Sequence, residues 1–193
     1  MNQHLCRHCG SPLRHEVIDL GHQPPSNSYL KPDQLDLPEI TYPLKVFICT
    51  RCWLVQLPAH AAAEQLFTSD YAYISSTSSS WCAHAKRYVE TAVQRLRLSS
   101  HSLVVELASN DGYLLQYVQQ RGIPCLGIEP THAAADAARA KGIHTIERFF
   151  GVALAEELEQ ADLVVANNVL AHVPDINDFV AGIALLLKPT GRV

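Results

Sequence analysis

Over the first sixty residues apolar positions come in short bursts, "YPLKVFIC" and "WLVQL", set among Pro, Cys and His. Bursts of that length between breakers predict strands in a small irregular domain covering residues 1–58. From 59 to 100 the spacing changes. "SWCAHAKRYVETAVQRLRL" puts Ala85, Val89, Ala92, Val93 and Leu96 on one helical face, capped by one of Ser78 to Ser80, after the interruption "SDYAYISSTSSS". From 101 onward "SLVVEL", "PCLGIE", "IHTIE" and "ADLVVAN" alternate with the helical stretches "DGYLLQYVQQRG", "THAAADAARAKG", "VALAEELEQ" and "INDFVAGIALLLK". Gly122 and Gly142 stop the first two helices, and Thr131 caps the second. The strand runs are continuously apolar, as in a sheet covered on both faces. Right-handed crossovers then give an α/β fold, a Rossmann-like doubly wound, mostly parallel sheet after residue 101, preceded by the small domain and a helical connector at 59–100. "LKPTGRV" reads as a helix end, a Pro-Gly turn and the first residues of another strand. The sheet is thus predicted to be incomplete at its C-terminus and the chain to be part of a longer protein.

Composition adds exclusions. The chain of 193 residues is 48% hydrophobic and 18% charged, and it has no apolar run able to span a bilayer. Its start, "MNQHLCRHCG", lacks the basic and apolar regions of a signal peptide, so a cytoplasmic protein with no membrane partner is expected. A formal charge of −4 gives no general pull toward nucleic acid.

Four of the six cysteines form two CxxC pairs, Cys6/Cys9 and Cys49/Cys52. In a reducing compartment such pairs point to metal ligands, and four thiolates close a tetrahedral Zn²⁺ shell at ~2.3 Å per sulfur, which predicts a structural zinc ribbon. Thirty-nine residues lie between Cys9 and Cys49. A loop of that length costs little extra closure entropy. "CRHCG" has a glycine for its knuckle, whereas "CTRCW" has Trp53 in that place. His4, His8 and His15 read as exposed bystanders, and Cys82 and Cys125 as buried ones.

The turn after the first strand of the parallel sheet, "ELASNDGYLL", has only Gly112 where a dinucleotide loop would have three glycines. Glu106 ends that strand and Glu129 ends the next, placed to hold the hydroxyls of a ribose. A cofactor with no pyrophosphate needs no bare loop. S-adenosylmethionine fits, with Asn110 and Asp111 offering polar groups to its amino acid end and Gly112 standing where a side chain would crowd it.

"VVELASNDGYLL", "GIEP" and "ADLVVANNVLAHVPD" resemble the class I S-adenosylmethionine-dependent methyltransferases. With "CRHCGSPLRHEVIDLGHQPPSNSYL", "LVQL" and "DYAYISSTSSSWCAHAKRYVE", the chain resembles the branch with an N-terminal zinc-binding domain, which includes C-methyltransferases of nucleotide-linked 4-keto-deoxysugars. The resemblance implies that Ala108, Asn110, Asp111 and Gly112 form the turn around the methionine end. It implies further that Glu129 and Pro130 hold the ribose and the adenine edge, and that Asn167 and Asn168 line the floor. Phe149 or Phe150 packs on the adenine, or the pair belongs to the core. His172 is either structural or catalytic. The serine-rich segment closes over the cofactor, with Tyr73 or Tyr71 reaching the site. The family's chain continues well past Val193, and a Tyr/Glu/His cluster contributing to its catalysis lies in that part, so this chain by itself is expected to show little turnover.

The reaction implied is proton removal beside a sugar ketone and attack of the resulting enolate on the methyl group. Two rival expectations stand: O- or N-methylation of another small metabolite, and a non-catalytic zinc-ribbon binding module.

Overall fold

A computed structural model describes residues 4–68 and 71–193. Ser69 and Asp70, which open the "SDYAYISSTSSS" stretch, lie outside the described residues. The chain separates into two compact units, one reaching to Leu66 with Pro174–Asn177 added, the other holding Phe67–Val173 and Asp178–Val193.

The first unit carries an antiparallel sheet of β1 (His15–Gln23), β2 (Tyr42–Ile48) and β3 (Val55–Gln56), in that order. The burst "YPLKVFIC" forms β2, whereas "WLVQL" yields only two strand residues. All nine residues of β1 are exposed, so it exists through hairpin pairing with β2. Lys45, opposite Asp19, bridges that carboxylate at 2.8 Å and Glu16 at 3.0 Å. The unit's small core is Cys6, Leu13 and Cys49, flanked by Phe47 and Leu54. The helix α1 (Ala63–Leu66) closes it in sequence.

The second unit is a five-stranded sheet in which every recorded pairing is parallel. Its members are β4 (Val104–Leu107), β5 (Cys125–Ile128), β6 (Thr145–Ile146), β7 (Ala161–Val165) and β8 (Leu187–Arg192), ordered β6-β5-β4-β7-β8. Both faces are covered, as the unbroken apolar runs require. Val104, Leu163 and Val165 pack with α2 (Ser79–Leu96) and α3 (Leu115–Gln119), while Val105, Leu107 and Val164 pack with α5 (Val152–Ala155) and α6 (Ile176–Leu186). In α2, Ala85 and Val89 are buried, Ala92, Val93 and Leu96 pack around them, and Ser78 Oγ accepts the Trp81 amide as the N-cap. Gly142 stops α4 (His132–Ala140) in a left-handed conformation.

Three elements depart from the sequence expectation. The helix after β4 begins only at Leu115, because Ala108, Asn110 and Gly112 hold positive φ and no helix can run through them. The "VALAEELEQ" helix keeps one turn, since Glu156, Glu157 and Glu159 crowd negative charge onto a helix C-terminus. "LKPTGR" is strand throughout. Pro189 and Gly191 lie in β8, which pairs with β7 alone and so leaves one side where proline's missing donor costs nothing.

Candidate functional site

From β4 the strand order proceeds through β5 to β6 on one side and through β7 to β8 on the other, which makes the C-terminal ends of the parallel strands β4 and β7 a topological switch point. Glu106, Ala108 and Asn110 to Gly112 follow from β4, Glu129 and Pro130 from β5, Phe149 from β6, and Asn167 and Asn168 from β7. All of these sequence candidates therefore lie at one edge of the sheet.

Glu106 is the unusual group. Its side chain is buried, and Oε2 has no hydrogen-bond partner among the described residues. Burial raises its pKa well above the ordinary glutamate value; Tyr113 beside it works against the shift, and the Asp111 and Glu129 carboxyls add to it. Tyr113 is itself buried, stacks on Trp81 at 5.9 Å between centroids, and has its own pKa raised chiefly by burial. Neither aromatic was singled out from sequence, although Tyr113 stands inside the quoted turn.

Glu129 is held by its own loop. Oε2 accepts the Asn110 amide at 2.9 Å, while Oε1 accepts the Thr131 amide at 2.9 Å and the Thr131 hydroxyl at 2.6 Å. The hydroxyl proposed as a helix cap is thus turned onto the carboxylate instead. A carboxylate has about four lone-pair sites, so one acceptor position is left over.

Asn110 and Asp111 point elsewhere than the sequence suggests. Asn110 Oδ1 accepts the Ser75 amide at 2.8 Å and its Nδ2 donates to the Tyr73 carbonyl at 3.0 Å. Asp111 Oδ1 accepts the Ser76 amide at 3.3 Å, and Oδ2 pairs with Lys141 Nζ at 2.6 Å. These two side chains therefore fasten the Tyr/Ser segment onto the turn. The requirement at Gly112 also has another origin. A Cβ there would run into Ile143 Cδ1 and approach Ala138, so core packing and a φ of +73° demand the glycine.

Tyr73 is half exposed, and Tyr71 rests edge-on against Phe67 at 5.3 Å. Phe150 is a core residue set edge-on to Phe179, while Phe149 is 42% exposed. Asn167, Asn168 and His172 are exposed, the His172 amide closing a turn on Val169.

In the first unit Cys6, Cys9, Cys49 and Cys52 converge, every ligand atom within 4.8 Å of the others. Cys6 and Cys52 sulfurs lie 3.5 Å apart and those of Cys9 and Cys49 3.6 Å. Tetrahedral bonds of ~2.3 Å call for sulfurs about 3.8 Å apart, so the four thiols fit zinc closely. Each knuckle closes on a left-handed residue, Gly10 (φ +69°) and Trp53 (φ +65°), whose amides return to the Cys6 and Cys49 carbonyls. Trp53 adopts the glycine geometry with its ring exposed. Burial pushes the Cys6 thiol up, and amide donors from Cys9, Gln56 and His8 outweigh it, lowering its pKa. His4, His8 and His15 are exposed and outside the cluster. Cys82 and Cys125 are half-buried, the latter pushed up to about 11 by burial.

Comparison with known proteins agrees with both halves. A zinc binding domain family matches residues 6–67, and a methyltransferase domain family matches 105–193. The chain belongs to the methyltransferases that carry an N-terminal zinc-binding domain. It is 32% identical to the C-methyltransferase NovU of Streptomyces niveus over 190 residues, 96% of this chain and 45% of that one. A ubiquinone biosynthesis O-methyltransferase of Stutzerimonas stutzeri is 30% identical over 99 residues, 47% of this chain and 41% of that one. The chain thus spans less than half the length of the curated relatives it matches. A solved methyltransferase from Thiobacillus denitrificans, in complex with S-adenosyl-L-homocysteine, covers 56% of this chain and 45% of its own at 21% identity, with a TM-score of 0.43. Among the described residues no helix is long and apolar enough to cross a membrane.

Proposed function

We propose that this chain is the zinc-binding and cofactor-binding portion of an S-adenosylmethionine-dependent methyltransferase that methylates carbon beside the ketone of a nucleotide-linked sugar. One observation carries the cofactor assignment: a buried carboxylate, Glu106, with an unpartnered oxygen at the C-terminal end of the central strand. An unpaired buried acceptor is costly, and the ammonium of a methionine moiety would satisfy it. The turn above it is filled by Asn110 and Asp111 side chains bonded to the Tyr/Ser segment, which leaves no bare amide nest for a pyrophosphate. Glu129 keeps one acceptor site for a ribose hydroxyl, and exposed Phe149 offers a face to the adenine.

When bound, the cofactor supplies a methyl group made electrophilic by its sulfonium. The chain's residues would position the acceptor: Tyr73 from the fastened segment and His172 after β7 are the groups available to take a proton from the carbon next to the ketone. The chemistry the cofactor would supply is transfer of that methyl group to the deprotonated carbon, with S-adenosylhomocysteine as the by-product. Support for carbon as the acceptor is that NovU, named as a C-methyltransferase, aligns across 96% of the chain, whereas the O-methyltransferase aligns with about half of it. The remaining catalytic groups are assigned to the part of the relatives' length that this chain does not span.

Calorimetric titration with S-adenosylhomocysteine is the direct test. Wild type should bind, and Glu106→Gln should bind about 10–100-fold more weakly, the value of a lost charge-assisted hydrogen bond. No binding by wild type, or equal binding by the variant, would overturn the assignment.

A further inference from the structure

Gln56, the polar residue of "LVQL", has no part in the cofactor site, yet it is buried and every hydrogen-bonding group of its carboxamide is used. Its Nε2 donates to Cys6 Sγ at 3.2 Å and to the Leu54 carbonyl at 3.3 Å, while its Oε1 accepts the Arg7 amide at 2.8 Å. The residue sits on β3, directly after the second knuckle, and opposite Phe47 of β2, the strand that leads into that knuckle. Its three partners therefore tie the first knuckle, both a ligand sulfur and the backbone behind it, to the strand pair that carries the second. Between those half-sites lie 39 residues with no metal ligand among them.

We infer that Gln56 is a positioning residue of the zinc centre, setting Cys6 apart from the other three thiolates. A zinc ion with four thiolates carries a net charge of −2. An N–H donor aimed at one sulfur draws off part of that charge, weakens that thiolate as a nucleophile and fixes its direction. Cys49 receives a backbone donor of this kind from Arg51 at 3.4 Å and Cys9 the Ser11 hydroxyl, but Cys6 receives, besides backbone amides, a carboxamide whose oxygen is anchored on the Arg7 amide. The pattern of donors asks for a carboxamide. Glutamate has nearly the same shape and could still accept from Arg7, but it would set a negative charge against the sulfur. Leucine would fill the space but leave the Arg7 amide unpartnered and take from the sulfur its one side-chain N–H donor.

The test uses the whole chain with Gln56→Glu and Gln56→Leu, zinc affinity being read by competition with the chromophoric chelator pyridylazoresorcinol. Losing such a partner costs about 10–100-fold in metal affinity, and the glutamate should lose more than the leucine. Two further readouts separate positioning of Cys6 from simple loosening of the fold. In the cobalt-substituted protein, the thiolate-to-metal charge-transfer band should move to lower energy in both variants. On slow alkylation of the zinc form with N-ethylmaleimide, peptide mapping should show Cys6 overtaking Cys9, Cys49 and Cys52. Unchanged affinity with an unchanged band would overturn the inference, as would a loss in which all four cysteines become reactive together. Failure of the wild-type chain to bind zinc would remove the metal centre and the inference with it, without touching the cofactor reading.

Discussion

Gly112 illustrates how one position can be required for a reason other than the obvious one. It stands in the turn proposed to hold the cofactor, but the atom that a methyl group would meet is Ile143 Cδ1 in the core, and the backbone is left-handed. Gly112→Ala should therefore destabilise the second unit by about 2 kcal/mol, through overpacking and αL strain, as read by denaturant unfolding. Cofactor affinity of the remaining folded protein should change little. A variant of wild-type stability with impaired cofactor binding would restore the cofactor as the reason for the glycine. The neighbouring Glu129 was legible as an acid at a strand end, because topology alone puts it there. Its partners were not legible, since the Asn110 amide lies 19 positions away in the chain and reaches it only when the turn adopts positive φ.

The segment bearing Tyr71 and Tyr73 depends on contacts with the turn rather than on its own propensity, for among its described residues it holds only a single 3₁₀ turn at Ser75–Thr77 before α2. Asn110→Gly keeps the left-handed backbone and the bond to Glu129 but removes the side chain that accepts from Ser75 and donates to Tyr73. Amide exchange at Ser75 should then quicken by at least about tenfold, the worth of one buried hydrogen bond of about 1.5 kcal/mol. Exchange at the α2 amides should stay as it is. Equal protection at Ser75 would show that the segment is fastened by something else. Among the elements, the strands of the parallel sheet were readable because a run such as "CLGI" is apolar at every position. β1 was not, since "HEVIDLGHQ" is exposed throughout and gains its extended form from pairing with β2. β8 was misread because proline and glycine normally mark a turn, and only its place at the sheet edge allows them.

For the molecule as a whole, Glu106 links proton and ligand. Its folded pKa is raised, so the folded chain holds a proton that the unfolded chain has released once pH exceeds the ordinary glutamate range. Stability without ligand should accordingly fall as pH rises from that range through the raised value. A cationic ammonium placed against the carboxyl reverses the preference. Within that pH window, binding of S-adenosylhomocysteine should release up to one proton, measured as a dependence of the calorimetric enthalpy on the ionisation enthalpy of the buffer. Buffer-independent enthalpy would show that Glu106 does not change charge on binding.

The latch at Asn110 has a consequence for how this chain can vary. Both of its bonds to the Tyr/Ser segment go to main-chain atoms, the Ser75 amide and the Tyr73 carbonyl. The anchor thus recognises the path of that segment and is indifferent to the side chains it displays. New residues can be tried at 73, whose side chain is half exposed, while the segment stays moored. The mooring residue itself has no such freedom, because its carboxamide must both accept and donate and its backbone is left-handed. Variation and constraint are therefore partitioned between the two ends of the same pair of hydrogen bonds.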